Sequence, residues 1–340
     1  MSLFLDSGFV NIRYCLNFRC PFTFIIGGRG TGKTFSSIMT CIEDNNIFML
    51  LRRTQAQADL IGKKDFSPVN PVCDYMGIFP EIESSTKYNS LIYTRESLDD
   101  ESRTLIGYTA ALSTFSNLRG FDGSYIKTLI FDEFIPELHE RQIKHEADTF
   151  FNVYETINRN RELTGHDPLQ VLCLSNSNRL DSPILHSLNL TKKLEQMQRR
   201  GQTEYIDREK GVSVFLLFNS PVSAAKKETA LYKVTQGTDF YEMSIGNAFA
   251  YDDLSNVRSL SLASGWKPLC RLGDIVIYLK NDLWYLSKHE AGEPGLKYDL
   301  NKIGIQKFVH DFPGSYQRII NNKIIYEDYS IKSVFTNIFI

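Results

Sequence analysis

Short apolar runs alternate with helical patterns along the first half of the chain. The runs are rich in β-branched and aromatic residues, which indicates buried strands, and they cover Phe22–Ile26, Ile47–Leu51, Ile126–Phe131 and Leu169–Leu174. Two stretches between them have the spacing of amphipathic helices, from Lys33 to Asp44 and from Ile143 to Ile157. Strands that alternate with helices predict an α/β fold with a parallel sheet.

Polar turns predict two further strand pairs. Leu91–Tyr93 and Arg103–Tyr108 form one expected β pair, and Asp274–Leu279 with Leu283–Ser287 flank a turn at Lys280-Asn-Asp282 and form the other. Because the second pair lies far along the chain, we assign it to another domain.

The predicted boundary between the two domains rests on a change in amino-acid composition after the expected surface helix Thr191–Arg200. The stretch from Gly201 to Gly211 is polar and charged, as linkers often are. We therefore expect an α/β domain at residues 1–198, a linker at 199–225 and a smaller α+β domain at 226–340.

A glycine-rich motif follows the first strand. It fits the phosphate-binding pattern G-x-x-x-x-G-K-[ST] at every position and consists of Gly27, Gly28, Arg29, Gly30, Thr31, Gly32, Lys33 and Thr34. The glycines let the backbone wrap a polyphosphate with its N–H groups inward, and the following helix N-terminus favours negative charge. Lys33 is predicted to contact the β- and γ-phosphates, and the Thr34 hydroxyl to hold Mg²⁺. Arg29 either senses the γ-phosphate or lies at the rim, and the alternative for the whole motif is a glycine turn without nucleotide.

Two acids close a later strand, in Ile130-Phe-Asp-Glu133. In phosphate-loop enzymes the strand-end Asp holds the metal, and a Glu directly after it is placed to polarise the attacking water. We predict Asp132 as a metal ligand and Glu133 as the general base.

Two arginines and an amide complete the candidate site. Arg159 and Arg161 follow the helix ending near 157, and on a helix two residues apart they would point in different directions. One is then free to reach a neighbour's γ-phosphate, although a basic pair at a helix end is a common structural feature. Asn176 ends the next buried strand and is a candidate sensor of the γ-phosphate, or simply a turn residue.

Composition excludes several classes of protein. The chain has 340 residues, 42% apolar and 23% charged, which is typical of two globular domains. No run approaches the ~18 apolar residues of a membrane span, and Met1–Val10 contains Asp6 and no basic segment, so we expect no secretory signal. The six cysteines lack zinc spacing and are expected to be buried thiols.

Net charge limits the kind of nucleic-acid contact. With 38 Lys and Arg against 40 Asp and Glu, the net charge is −2, which excludes a protein that coats nucleic acid through a basic surface. Residues 1–198 hold 20 basic and 24 acidic side chains and the remainder 18 and 16, so neither part is strongly basic.

Together these motifs resemble one family closely: the genome-packaging ATPases of phi29-type small tailed phages, relatives of the large terminases. The similar segments are Ile26–Thr34, Ile130–Ile135, Asn160–Glu162, Cys173–Asn176 and Gly237–Ser244. The resemblance implies a terminase-like phosphate-loop domain followed by a vestigial RNase H-like domain. It also implies an ATP- and Mg²⁺-dependent ring of five subunits that drives double-stranded DNA through the portal into an empty procapsid.

The resemblance extends to individual residues and to location. It places Arg159 at the trans-acting arginine finger and Arg119 near a DNA-facing loop. At the position of the family's second trans-acting cation this sequence has Gln55. Arg53 or a nearby lysine is therefore the expected substitute for that cation. The resemblance also implies the host cytoplasm and a transient place at the portal vertex, without incorporation into the virion, and leaves open a structural RNA as partner. A ring that touches DNA through few side chains per subunit is compatible with the near-neutral charge.

Three expectations remain open to test. Nuclease chemistry needs clustered acids, and Ile275–Leu279 has none in its interior while Asp252-Asp253 fits a solvated loop, so we expect no nuclease activity.

The adenine contacts have only a weak candidate in Asn11–Phe18. The alternatives to a translocase are a helicase or other nucleic-acid-dependent ATPase, and a nucleotide-gated scaffold that binds capsid or portal, against which Glu133 counts.

Overall fold

Two units make up the chain in the computed structural model. The first comprises Met1–Ile184 and Met197–Tyr251, and the second Leu185–Gln196 and Asp252–Ile340. The structure describes residues 2–97, 99, 101–118, 120–137, 140, 143–176, 180, 182–218, 220–246 and 254–339.

Fourteen strands are present among the described residues. They are β1 Phe22–Gly27, β2 Phe48–Arg52, β3 Phe79–Thr86, β4 Asn89–Arg95, β5 Thr104–Ala111, β6 Thr128–Asp132, β7 Gln170–Asn176, β8 Glu204–Asp207, β9 Val212–Leu216, β10 Lys267–Leu272, β11 Ile275–Lys280, β12 Leu283–Ser287, β13 Leu296–Tyr298 and β14 Ile324–Tyr326.

The helices fall between them and at the chain's two ends. They are α1 Ile12–Leu16, α2 Lys33–Glu43, α3 Gln55–Ile61, α4 Asn70–Met76, α5 Glu146–Asn158, α6 Pro183–Ser187, α7 Thr191–Arg200, α8 Pro221–Lys226, α9 Ala230–Val234, α10 Asp239–Tyr241, α11 Lys302–Asp311, α12 Ser315–Ile320 and α13 Tyr329–Thr336. Short 3₁₀ turns cover Lys64–Phe66, Leu112–Leu118, Arg161–Thr164 and Leu262–Ser264, and a π-helical turn covers Glu242–Gly246.

A nine-stranded sheet forms the centre of the first unit, in the order β3-β4-β5-β2-β6-β7-β1-β9-β8. The six strands from β5 to β9 in that order are parallel, whereas β3, β4 and β8 add antiparallel edges. The predicted α/β class is therefore confirmed. Because parallel strands end at the same edge, the carboxyl ends of β1, β2, β6 and β7 lie side by side, with β7 between β1 and β6.

The parallel strands are buried along almost their whole length. In β1, β2 and β6, residues such as Phe24, Leu50 and Ile130 have no exposed surface. Strands that are buried on both faces appear in a sequence as continuous apolar runs. The four apolar runs of the sequence analysis therefore predicted β1, β2, β6 and β7 to within two residues at either end.

The predicted linker at residues 199–225 is wrong. This segment contains β8 and β9, and β9 pairs in parallel with β1, Phe22 opposite Val212. It also contains most of α8. The polar stretch from Gly201 to Gly211 covers β8, an antiparallel edge strand whose residues are only partly buried, so its composition resembled that of a linker. The first unit consequently extends to Tyr251 rather than ending at residue 198.

The second unit contains a five-stranded mixed sheet, in the order β13-β10-β11-β12-β14. The predicted hairpin is confirmed as β11 and β12, with Asn281 in the left-handed conformation (φ 54°) at the turn. The buried Glu327 carboxylate joins the start of α7 to this sheet, because it accepts hydrogen bonds from Lys192 Nζ (3.1 Å) and Ser287 Oγ (2.7 Å). The expected α+β character is observed, and the RNase H-like assignment stays a prediction.

The described part of the chain contains no helix long and apolar enough to cross a membrane. All six cysteines are buried and carry free thiols, as predicted.

Candidate active site

The glycine-rich motif connects β1 to α2 as predicted, and its glycines are required by the local geometry. Gly30 (φ 72°) and Gly32 (φ 78°) adopt the left-handed conformation that other residues enter at a cost. A Cβ on Gly27 would lie 2.5 Å from Leu217 Cβ, because β9 leads directly past the loop. The loop is therefore shaped both by its own backbone and by the chain segment that follows β9.

Lys33 is the buried cation of the loop, with 8% of its surface exposed. Its Nζ donates to the carbonyl oxygens of Gly27 (3.1 Å) and Gly28 (2.9 Å) and reaches Asn176 Oδ1 at 3.4 Å. Burial lowers the pKa of Lys33 to about 8, and the nearby carboxylate of Asp132 opposes that shift. An incoming polyphosphate would favour the charged ammonium form.

Thr34 and Asp132 form the candidate metal site. The Thr34 hydroxyl donates to Asp132 Oδ2 at 2.9 Å, and Asp132, the last residue of β6, is 5% exposed. A hydroxyl and a carboxylate beside a phosphate-binding loop are the oxygen ligands that Mg²⁺ takes in nucleotide sites. The residues present therefore fit that ion.

Glu133 follows Asp132 and is held in an uncommon backbone conformation, with φ +58°. Such a conformation costs on the order of 1 kcal/mol or more for a residue other than glycine, and it often occurs at functional sites. It turns the Glu133 carboxylate into the cavity, where half of the side chain is exposed. Burial by the surrounding site raises the pKa of Glu133, and the guanidinium of Arg52 counteracts this.

Arg52 is the site residue that the sequence patterns missed. It ends β2, the neighbour of β6, and its guanidinium bonds both acids: Nη2 lies 2.9 Å from Asp132 Oδ2 and Nη1 lies 2.5 Å from Glu133 Oε2. Its side chain is 12% exposed, so the pair of contacts is largely shielded from water. The signal was a basic residue at the carboxyl end of a predicted parallel strand, but the order of strands was needed to place it beside β6.

The cavity in front of the loop brings the predicted residues together. It has a volume of about 370 Å³ and is lined by residues of the glycine-rich loop and of three strand ends, including Lys33, Thr34, Asp132, Glu133 and Asn176. Asn176 ends β7 and faces Lys33, and its contact with a γ-phosphate stays a prediction. Its neighbour Ser175 has a buried hydroxyl without a partner among the described residues.

Arg29 lies at the rim of this cavity. It forms an ion pair with Glu137, and its side chain is about half exposed. Lys226 of α8 donates to the Arg29 carbonyl oxygen, so a second cation approaches the loop from a segment that the sequence had assigned to another domain. Burial, followed by the charge of Arg29, lowers the pKa of Lys226.

Arg159 and Arg161 lie at the opposite edge of the sheet. They line a cleft of about 990 Å³ together with residues at the amino ends of β1, β6 and β7, among them Pro21, Lys127 and Gln170. Arg159 is half-exposed and adopts φ +44° at the end of α5. The structure thus separates Arg159 from the glycine-rich loop of its own chain by the length of the strands.

The expected divergence of the two arginines is wrong. The chain leaves the helix at Arg159, and Asn160 is also left-handed (φ 58°), so helical geometry does not relate the two side chains. Arg159 Nη2 donates to the Phe121 carbonyl (2.7 Å), and Arg161 Nη2 donates to the carbonyls of Gly123 (3.0 Å) and Ser124 (2.9 Å). Both arginines therefore hold the same segment, and Arg159 is the more exposed.

Arg53 is excluded as a trans-acting substitute. Its side chain has no exposed surface and is bonded to Glu146 (2.7 and 3.0 Å) and Glu140 (2.8 Å). A guanidinium in such a buried network serves the interior of its own subunit. Gln55, at the position of the family's second cation, donates to Asp59 and accepts from Thr114.

Two other predictions fall outside the described residues, namely the DNA-contact candidate Arg119 and the acidic pair Asp252-Asp253. Asp274, at the start of β11, forms an ion pair with Lys288 at 2.7 Å. Within the described ranges, no cluster of three or more His, Cys, Asp or Glu side chains could hold a metal ion.

Comparison with known sequences identifies relatives of one kind. The chain is 25% identical to the DNA packaging protein of Bacillus phage B103 over 234 residues, which cover 67% of this chain and 64% of that protein. It is 26% identical over 251 residues to the DNA packaging protein of Bacillus phage phi29, with 72% and 67% covered. The chain thus spans just under two thirds of the length of the B103 protein.

Comparison with solved structures extends over the whole chain. A chain of the bacteriophage Phi-29 viral genome packaging motor assembly matches 99% of this chain and 99% of its own length, with a TM-score of 0.70 and 18% identity. The Phi-28 gp11 DNA packaging motor matches 98% and 97%, with a TM-score of 0.63 and 17% identity. At these identities the likeness establishes a shared fold. Residues 5–267 match the family of podovirus DNA encapsidation proteins (Gp16), and the chain belongs to that family.

Proposed function

We propose that this protein is an ATP-hydrolysing motor subunit that moves double-stranded viral DNA into a procapsid. The observation that carries the proposal is the convergence of Lys33, Thr34, Asp132, Glu133 and Asn176 on one cavity at the carboxyl edge of the sheet. Each residue type matches a separate requirement of phosphoryl transfer to water. The DNA packaging relatives and the family assignment indicate what the hydrolysis drives.

Binding is the first requirement, and the glycine-rich loop supplies it. The backbone N–H groups of the loop and the start of α2 receive the phosphates, while Lys33 exchanges its loop carbonyl partners for phosphate oxygens. Thr34 and Asp132 would hold Mg²⁺, which neutralises phosphate charge when bound. The side chain of Asn176, already 3.4 Å from Lys33 Nζ, is placed to contact the γ-phosphate.

Proton transfer from water is the second requirement, and Glu133 is the proposed base. Its carboxylate is half-exposed in the cavity and bonded to Arg52 at 2.5 Å. In this arrangement Arg52 fixes the orientation of Glu133 and favours its charged form, opposing the effect of burial on the pKa of Glu133. To activate a water molecule, the Glu133 carboxylate must accept a hydrogen bond from that water in addition to, or in place of, the one from Arg52.

The third requirement is a positive charge beside the γ-phosphoryl group, which stabilises the transition state while that group passes from ADP to water. We propose that Arg159 of a neighbouring copy supplies this charge. Arg159 is half-exposed at the amino edge, so it is accessible to another subunit. This arrangement implies a ring, which we propose to have five members, at the portal vertex in the host cytoplasm. A structural RNA is a further proposed partner, and we expect the second unit to lack nuclease activity.

The test is ATP turnover by the purified full-length protein with and without linear duplex DNA at low salt. We expect DNA to stimulate turnover, the Lys33→Ala variant to be inactive in both conditions, and the DNA to remain uncut. A helicase would in addition separate the strands of a forked duplex. Turnover that ignores duplex DNA would contradict the translocase proposal.

A further inference from the structure

Three aromatic rings from separate elements form a continuous row beside the glycine-rich loop. Phe9 in the N-terminal loop contacts Phe35 of α2 edge to face, with centroids 5.6 Å apart. Phe35 in turn contacts Tyr75 of α4 edge to face at 5.8 Å. We refer to Phe9, Phe35 and Tyr75 as the aromatic row.

The aromatic row is joined to the phosphate-binding loop at two points. The N–H of Val10 donates to the carbonyl of Thr31 at 3.0 Å, which ties the N-terminal loop to the backbone of the motif. The ring of Phe9 then lies directly over Gly32, where an added Cβ would approach Phe9 Cγ to 2.4 Å. Phe35 follows Thr34 in the chain and lines the cavity itself.

The row remains accessible to a ligand. Tyr75 is 74% exposed, and Phe9 and Phe35 are each only partly buried, so all three rings retain surface that a ligand can contact. The segment predicted for adenine contacts, Asn11–Phe18, contains α1, whose Ile12 and Cys15 are buried in the core. The aromatic surface next to the loop therefore comes from other segments.

The two acids indicate how a nucleotide would be oriented relative to the aromatic row. Asp132 and Glu133 mark the end of the cavity where the γ-phosphate must lie, so the sugar and base leave the loop at its other end. Phe35, one residue beyond Thr34, lines the same cavity, so a base that leaves the loop on this side can reach its ring. Aromatic faces attract nucleobases by stacking, and they accept any base because each has a π-face.

We infer that the aromatic row is the base-binding surface of the nucleotide site, with Phe35 as its main stacking residue. The inference rests on the proposed function, because it assumes that the cavity binds a nucleoside triphosphate. The row contributes affinity for the base and no selection between purines. Phe9 positions Phe35 and the loop, and Tyr75 extends the stacking surface outward.

The test compares the dissociation constants of Mg·ATP, Mg·GTP and Mg·tripolyphosphate, the last carrying phosphates without a base. Phe35→Leu retains an apolar side chain and removes the ring. We expect this variant to raise the dissociation constants of ATP and GTP equally, by about 5- to 150-fold, the range of one base–aromatic stack, and to leave that of tripolyphosphate within twofold. Tyr75→Leu should act in the same direction with a smaller effect.

Tyr316→Leu is the matched control, because Tyr316 is an exposed tyrosine (54%) in the second unit, and it should change none of the three constants. A parallel loss of ATP and tripolyphosphate affinity in Phe35→Leu would overturn the inference, since the ring would then only support the loop. Unchanged ATP affinity in Phe35→Leu would overturn it as well. In both cases wild-type ATP binding would leave the proposed function intact, whereas a wild-type protein that binds neither ATP nor tripolyphosphate would refute both.

Discussion

The predicted functional residues are largely buried at the carboxyl edge of the central sheet and more exposed at its amino edge. At the carboxyl edge, Lys33 and Asp132 are buried at a small cavity, where Lys33 bonds the loop carbonyls and Asp132 accepts a hydrogen bond from Thr34. At the amino edge, Arg159 lies half-exposed in a larger and open cleft. Seven-residue β7 joins the two edges, and at about 3.3 Å per residue it separates them by roughly 20 Å.

The difference indicates which half of the chemistry one chain can complete alone. The carboxyl edge has the groups for binding the nucleotide and activating water. The amino edge offers an accessible cation that cannot cross the sheet of its own subunit. Glu133 and Arg159 nevertheless share one feature, a left-handed backbone conformation in a residue other than glycine or asparagine, which both edges retain at an energetic cost.

Replacing Arg159 should have the largest effect on turnover. Arg159→Ala is expected to lower DNA-stimulated ATP turnover by about 10³- to 10⁵-fold, the range for an arginine finger, and to leave ATP binding within twofold. The matched control is Arg161→Ala, which loses two carbonyl contacts. It should lower the free energy of unfolding by about 1–3 kcal/mol and turnover by less than tenfold. Equal turnover losses in the two variants would remove the distinction between them.

Glu133→Gln tests the carboxyl edge and should have the next largest effect. The amide keeps the size of the side chain but cannot accept a proton, so turnover should fall by about 10²- to 10⁴-fold. ATP binding, measured by calorimetry, should persist. Turnover within tenfold of wild type would show that Glu133 is not the base.

The pH dependence of ATP binding tests the burial of Lys33. Its pKa is lowered to about 8, and bound phosphate would raise it, so binding takes up a proton above pH 8. Affinity should be level below pH 8 and should then fall by up to tenfold per pH unit. Calorimetry between pH 6.5 and 9.5 measures this, with Lys33→Ala as a variant whose weak residual affinity stays level. A level wild-type profile to pH 9.5 would contradict the account of Lys33.

Two glycines with the same φ provide the smallest and most closely matched comparison. Gly32 at the carboxyl edge and Gly165 at the amino edge both have φ 78°, but only Gly32 has a neighbour where a Cβ would lie. Gly165→Ala should cost about 1–2 kcal/mol for the left-handed conformation, and Gly32→Ala about 1–3 kcal/mol more for the contact with Phe9. Urea unfolding of each variant measures the difference, and equal costs would show that Phe9 yields easily.

The carboxyl edge was largely predictable from the sequence because its signals are local. The glycine-rich loop and the Asp132-Glu133 pair each lie within a few consecutive residues, and their roles depend on the strand that precedes them. Arg52 was missed because its role depends on β2 pairing with β6, a long-range contact. The predicted linker included β8 because a polar, partly buried edge strand has the composition of a loop; the buried apolar strand β9 directly after it was missed.

The amino edge was predicted less well for the same physical reason. The sequence indicated a helix through Ile157 and two arginines after it. The left-handed backbone at Arg159 has no local signature, although Asn160 is of a residue type that often adopts that conformation. The burial of Arg53 could not be foreseen either, because its partners Glu140 and Glu146 lie about 90 residues away.

We propose above that Arg159 of one subunit completes the nucleotide site of another. Mixing Arg159→Ala subunits with Lys33→Ala subunits tests it most directly, because each variant alone is inactive for a different reason. In mixed rings, an Arg159→Ala subunit can bind ATP and receive Arg159 from a Lys33→Ala neighbour. The account predicts DNA-stimulated ATP turnover that peaks at intermediate mixing ratios, and an absence of turnover at every ratio in assembled mixed rings would contradict it.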